Sequence, residues 1–271
     1  MKIGTKQFDF QHHTYVMGIL NVTPDSFSDG GNYDTLDKAL LHTKQMVDDG
    51  ADIIDIGGES TRPGHRRITD QEEIDRVLPV IEAVKREFDV PVSLDTYKSA
   101  VAAEGIAAGI DLLNDIWGLQ FDDQLGKMVA DSGLAYCLMH NRKEISEDLT
   151  PEGFVGQMQQ DIQRALDAGI TKEQIILDPG VGFAKTQEQN LMVIGNLDRL
   201  TALGYPVLLG TSRKSVIDYV LHIPTDERLA ATLATTAEAV FHGCGIVRVH
   251  DVKENVQFIR MLERTREKRV K

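Results

Sequence analysis

The chain has 271 residues, 42% of them hydrophobic and 26% charged, so it is long enough to bury one large core. A formal net charge of -13 repels nucleic acid and acidic membrane surfaces at long range, so an anionic ligand has to be held by a local basic cluster. The N-terminal "MKIGTKQFDFQHH" lacks the apolar core of a signal peptide and no stretch approaches the ~20 apolar residues of a membrane span; a cytoplasmic protein without nucleic-acid or membrane partners is expected.

Short β-type runs alternate with helix-compatible stretches from residue 15 onward. Strands are predicted at Tyr15–Leu20, Ile53–Ile56, Val92–Leu94, Leu112–Asn114, Ala135–Met139, Ile175–Leu177, Val207–Gly210 and Ile246–Val249. Asp34 opens a helix after the first strand. Thr69-x-x-Glu72 and Thr171-x-x-Gln174 read as capping boxes, and Thr150-Pro151 gives a cap followed by proline at the first helical position. After the third strand, "TYKSAVAAEGIAAGID" leaves room for only a short helix.

Eight strand–helix units with no repeat, linker or composition break predict a (β/α)8 TIM barrel, an α/β fold, forming a single domain over residues 1–271. A doubly wound parallel sheet shows the same alternation and is the alternative. The residues before the first strand are expected to form a short hairpin closing the barrel floor. Cys137 and Cys244 lie among apolar neighbours and outside any CxxC pair, so buried, reduced thiols are expected.

Parallel barrel strands bring their C-terminal ends to one mouth, where barrel enzymes keep their active sites. The residues at or just after those ends are Asn21, Asp55, Asp95, Asn114, His140, Asp178, Lys214, Arg248 and His250. The first strand runs into "NVTPDSFSDGG", whose density of hydrogen-bonding groups makes it one wall of a site. An Asp after a strand also caps helices, so Asp55 and His140 stay between a structural and a functional role.

Arg248 alternates with Val247 and Val249 in "GIVRVHD", and a period of two points it into the barrel. A guanidinium there needs an anionic partner, either a carboxylate or a ligand. Lys214, Arg248 and His250 follow the last two strands, where barrels often bind phosphate, and a helix starting near Ser215 would add positive dipole. Lys214 as a Schiff-base nucleophile is a competing reading. Asp178 in "LDPGVGF" and Asn114 in "LLNDIWG" suit the edge of an aminopyrimidinone: a carboxylate only accepts hydrogen bonds, while an amide donates and accepts. Gly180 and Gly182 permit a tight turn beside it.

The ordered set "MGILNVTPDSFSDGG", "DIIDIGGESTRPG", "VSLDT", "LLNDI", "ILDPGVGFAKT", "LLGTSRKS" and "VRVHDV" resembles the dihydropteroate synthase family across essentially the whole chain, from Val16 to about Val252. The resemblance implies a (β/α)8 barrel that joins p-aminobenzoate to 6-hydroxymethyl-7,8-dihydropterin diphosphate, giving 7,8-dihydropteroate and pyrophosphate, with Mg2+ as cofactor. It implies a pterin pocket lined by Asp95, Asn114, Asp178 and Lys214. It places Asn21, Thr61, Arg248 and His250 at the diphosphate, with Asn21 also at the metal. Phe27, Thr61, Arg62, Pro63, Phe183 and Ser215 would hold p-aminobenzoate, where sulfonamides would compete, and the loops carrying Phe27, Asp29 and Thr61 to Pro63 would close over the site. A homodimer is implied as well.

Asp95, Lys214, Arg248 and His250 are the expected catalytic residues. Arg248, His250 and Mg2+ would offset charge on the departing diphosphate, and Asp95 would stabilise an SN1-like carbocation. A lid from Thr23 to Gly31 would keep water away. His65, Arg66, Arg67 and the stretch "HNRKEISEDLT" receive no role from the resemblance. Alternative functions are a non-catalytic pterin-binding protein and the pterin-binding barrel of methyltetrahydrofolate-dependent methyltransferases, which does not need the Lys214, Arg248 and His250 cluster.

Overall fold

The computed structural model describes residues 1–23, 32–60, 67–146, 148–266 and 268. Phe27, Asp29, Thr61, Arg62, Pro63, His65 and Arg66 lie outside the described residues, as does residues 24–31 of the expected lid.

Strands β1 (Lys2–Ile3) and β2 (Lys6–Gln7) pair antiparallel as the expected hairpin. Then follow β3 (Tyr15–Asn21), β4 (Ile53–Gly57), β5 (Val92–Asp95), β6 (Leu112–Asp115), β7 (Ala135–Met139), β8 (Ile175–Asp178), β9 (Leu208–Leu209) and β10 (Ile246–Val249). All eight run parallel in the order β8-β7-β6-β5-β4-β3-β10-β9. The first and last of them are neighbours, with Ile246 opposite Tyr15 and Val249 opposite Gly18. A parallel bridge between Leu177 and Val207 joins the two remaining edges, where Leu177 N–H donates to the Pro206 carbonyl at 2.8 Å. The sheet is therefore a nearly closed barrel, and the doubly wound alternative, which needs two open edges, does not apply.

The helices between strands are α1 (Asn32–Asp48), α2 (Asp70–Glu87), α3 (Ser99–Ala107), α4 (Asp123–Ser132), α5 (Pro151–Asp167), α6 (Gln187–Ile194), α7 (Leu197–Thr201), α8 (Ser215–Leu221), α9 (Leu229–Phe241) and α10 (Val252–Arg266). Thr69 caps α2 by accepting from Glu72 N–H at 3.2 Å, and Thr150 caps α5 ahead of Pro151. The Thr171 box forms but opens no α-helix: it closes a three-residue 3-10 turn, Lys172–Gln174. The Gln174 side chain there donates to the carbonyls of Val129 and Leu134, which holds the chain against α4 as it enters β8.

Inward and outward residues alternate along the strands as the pleat requires. Outward Leu20, Ile54, Leu94, Leu113, Leu138 and Leu177 pack under the helices with Val77, Ile81, Val84 and Val129. At the bottom of the interior, Met17, Ile53, Leu112, Cys137, Ile176, Leu208 and Ile246 form an apolar layer sealed from below by Ile3 and Phe8 of the hairpin. Toward the strand C-termini the inward positions turn polar: Asp55, Asp95, Asn114, Asp178 and Arg248. Cys137 and Cys244 are buried free thiols, and burial pushes Cys244 up to about 12. Among the described residues no helix is long and apolar enough to cross a membrane.

Candidate active site

The polar layer is organised around Arg248. Its Nε donates to Asp55 Oδ2 at 2.6 Å and its Nη2 to Asp95 Oδ2 at 2.8 Å, so the anionic partner that its position requires is a pair of carboxylates. Asp55, left open from the sequence, is fully buried and also accepts from Asn114 Nδ2 at 3.2 Å. Gly57, facing Asp95 in the β4–β5 register, leaves room between Asp95 and Asn21, which is exposed at the end of β3.

Two buried oxygens in this layer, Asn114 Oδ1 and Asp55 Oδ1, have no hydrogen-bond partner among the described residues. An unpartnered buried acceptor costs about 1–3 kcal/mol, so Asn114 Oδ1 is prepared for a donor from outside the chain. Asp178 stands at the end of β8 and accepts from Gly180 N–H at 2.7 Å through Oδ1. Burial raises its pKa, while the nearby Lys214 and Arg248 charges pull it back down.

Lys214 reaches into the same region from the segment after β9. Its Nζ donates to the Val181 carbonyl at 2.6 Å and lies 5.0 Å from the centre of the Phe183 ring. Burial lowers its pKa to about 8, against the opposing pull of Asp178. Its neighbour Arg213 turns away to pair with Asp251, which is why only one of the two adjacent cations faces the mouth. Burial lifts Asp95 to about 7 despite the attraction of Arg248. His250 is held by Ser212, whose Oγ lies 3.0 Å from Nδ1 and accepts the His250 N–H at 3.2 Å. Ser215 is exposed at the start of α8 and accepts from Gln187 Nε2 at 3.2 Å.

The structure thus joins Asp95, Asn114, Arg248 and Asp55 directly, and Lys214, Asp178 and Phe183 through the loop after β8. Ser215 and Asn21 sit at the rim. A cavity of about 880 Å³ at the other end of the barrel, lined by Met1, Phe8, Phe10, Lys172 and Tyr205, contains none of these residues.

Several contributors carried no sequence signal. Asp115 accepts from Trp117 N–H, Leu119 N–H and the Tyr136 hydroxyl, fixing the turn after β6. Lys98 pairs with Glu59 at 2.6 Å and Glu73 at 2.7 Å and donates to the Ile68 carbonyl. Arg67, unassigned from its motif, lies 4.4 Å from the centre of the Phe121 ring. In the stretch after β7, Arg142 pairs with the buried Asp161 of α5.

Residues 17–250 match the family described as "Pterin binding enzyme". The dihydropteroate synthase of Clostridium beijerinckii is 51% identical over 97% of this chain and 98% of its own length. The crystal structure of a dihydropteroate synthase from Clostridium difficile in the presence of pteroic acid superposes with a TM-score of 0.92 at 49% identity, covering 96% of this chain and 99% of that one. The Xanthomonas albilineans dihydropteroate synthase with 4-aminobenzoic acid gives a TM-score of 0.90 at 37% identity, covering 94% of this chain and 93% of that one.

Proposed function

This chain belongs to the dihydropteroate synthase family of pterin-binding enzymes, and from that premise we propose how its barrel mouth carries out the reaction. The substrates are 6-hydroxymethyl-7,8-dihydropterin diphosphate and p-aminobenzoate, and the products are 7,8-dihydropteroate and pyrophosphate. Pteroic acid and 4-aminobenzoic acid in the crystals of its relatives support both halves of this assignment.

The observation that carries the reading is the buried Asn114 Oδ1, without a partner among the described residues, at the same end of the barrel as the Asp178 carboxylate with its nearby Lys214 and Arg248 charges. Asn114 and Asp178 accept hydrogen bonds from the N–H and amino groups of the pterin edge. Lys214, Arg248 and His250 face the diphosphate and offset the charge that grows on it as the C–O bond breaks. We propose that this bond breaks ahead of attack, in an SN1-like step, because the ring feeds electrons to the exocyclic methylene. Asp95, beside Arg248, stabilises the resulting cation. The aromatic amine is neutral at pH 7, so no strong general base is needed for its attack, which agrees with the lack of a nucleophile–His–Asp set among the described residues.

The donor set fits Mg2+ only as a shared ligand. Among the described residues no cluster of three or more His, Cys, Asp or Glu side chains could hold a metal by itself. Asn21, exposed at the rim, offers one amide oxygen, which suits an ion carried mainly by phosphate oxygens and water. When bound, Mg2+ supplies further neutralisation of the diphosphate. Sulfonamides would compete at the p-aminobenzoate side, near Phe183 and Ser215. A homodimer is supported by the exposed apolar run Tyr219, Val220 and Leu221 on α8, and the two buried free thiols suit a reducing cytoplasm.

Calorimetric titration tests the site. Dihydropterin diphosphate should bind at least about tenfold more tightly than the corresponding pterin alcohol, because only it engages the cations. Equal affinity for the two would contradict the placement of the diphosphate.

A further inference from the structure

Lys185 has no place in the reaction as described, yet it is among the most deeply buried cations of the chain, with 6% of its surface exposed. Its Nζ lies within hydrogen-bond reach of four acceptors: His140 Nδ1 at 2.9 Å and the carbonyls of Gly180 at 3.0 Å, Phe183 at 3.1 Å and His140 at 3.2 Å. The His140 ring lies 2.9 Å from Gln157 Oε1 through Nε2. With Nε2–H donating there, Nδ1 carries the lone pair that faces Lys185. Burial, with the charges of Lys185 and Arg142 adding to it, pushes His140 down to about 3, so the ring is neutral.

All four acceptors are uncharged, so the geometry gathers backbone around the amino group without an ion pair, and burial lowers its pKa to about 7. That backbone is the loop between β8 and α6. Gly180 (φ +66), Gly182 (φ +87) and Ala184 (φ +44) all occupy the left-handed region, which needs external support, above all at a residue with a Cβ. The loop also presses closely on β7: a Cβ at Gly180 would collide with the His140 carbonyl oxygen. From the outer side, Asn190 of α6 accepts from Gly182 N–H at 2.7 Å. Facing the mouth, the same loop offers the Val181 carbonyl that receives Lys214 and the Phe183 ring beneath the Lys214 ammonium.

We propose that Lys185 is a positioning residue for the second substrate: its amino group fastens the loop to the end of β7 and so places the Phe183 ring for p-aminobenzoate. The role rests on the assignment of p-aminobenzoate to the Phe183 side of the mouth. The pterin edge depends on Asn114, from β6, and on Asp178, from the end of β8. Loosening the loop beyond Gly180 therefore acts mainly on the amine.

The test compares Lys185→Met, which keeps the length and removes every donor, with Asn190→Ala, which loosens the same loop through Gly182. Each should raise KM for p-aminobenzoate by about tenfold while changing the calorimetric Kd of the pterin alcohol, which reads the pterin edge alone, less than about threefold. The double variant should fall short of the product of the two single effects, because both act on one loop. A folded Lys185→Met protein with an unchanged amine KM overturns the proposal, as does a parallel loss of pterin and amine affinity with a lowered Tm, which marks a merely structural group. If Lys185→Met does not fold, an unchanged amine KM in Asn190→Ala overturns it. Phe183→Ala separates the two levels. If it leaves the amine KM unchanged, the assignment of the amine fails and the role of Lys185 fails with it; if it raises the KM and Lys185→Met does not, only the role of Lys185 fails.

Discussion

Arg248 Nε lies 2.6 Å from Asp55 Oδ2, tying the last barrel strand to the second across the interior. Asp55 is fully buried, and its carboxylate also receives Asn114 Nδ2. One acidic group thus sets the orientation of both the guanidinium and the Asn114 amide. Removing Asp55 leaves Arg248 with Asp95 alone and Asn114 Nδ2 without its acceptor, at a cost of about 1–3 kcal/mol. Asp55→Ala should lose stability on that scale in urea denaturation, and a loss below about 1 kcal/mol would show that the pair is not held as described.

Asp178 is expected to accept the pterin edge through two charge-assisted hydrogen bonds, each contributing about 1.5–3 kcal/mol. Asp178→Ala should therefore lose measurable pterin binding by calorimetry. Near-normal affinity would remove Asp178 from the pocket.

Arg248→Ala should weaken dihydropterin diphosphate far more than the pterin alcohol if, as proposed, the guanidinium meets the diphosphate and not the ring edge. Equal losses for the two ligands, measured side by side, would assign Arg248 a structural role only, as the partner of Asp55 and Asp95.

The pH dependence has a defined direction. Burial raises Asp95 to about 7 and lowers Lys214 to about 8. The carboxylate form of Asp95 grows as pH rises through the first value, and the ammonium form of Lys214 is lost above the second. The profile of kcat/KM should be a narrow bell between them. Asp95→Asn should abolish the acidic limb and lower mainly kcat; an effect confined to KM would mean that Asp95 binds the ground state instead.

The barrel was legible because each of its signals is local. Alternation around Arg248, the Thr69 and Thr150 caps and the cramped α3 all lie within a few residues of the feature they predict. The need of Arg248 for an anion was legible too, but not its identity. Asp55 is 193 positions away, and nothing near it distinguishes it from a helix-capping Asp. Lys185 stayed hidden for a related reason: a lysine after "VGFA" reads as a solvated loop residue, and only the approach of His140, 45 positions earlier, makes it a buried one. The Thr171 box has the chemistry of a helix start, yet no α-helix follows it. Its two side chains form the same reciprocal bonds on a single 3-10 turn, and the β-branched pair Ile175 and Ile176 draws the chain straight into β8.

The most direct test of the synthase assignment is the stoichiometry of pyrophosphate released from dihydropterin diphosphate with Mg2+, measured with and without p-aminobenzoate while dihydropteroate is followed by chromatography. The account predicts one pyrophosphate per dihydropteroate when both substrates are present, and a slow release without the amine as water captures the cation. Tight pterin binding with no pyrophosphate released under either condition would contradict it and leave a pterin-binding protein without this catalysis.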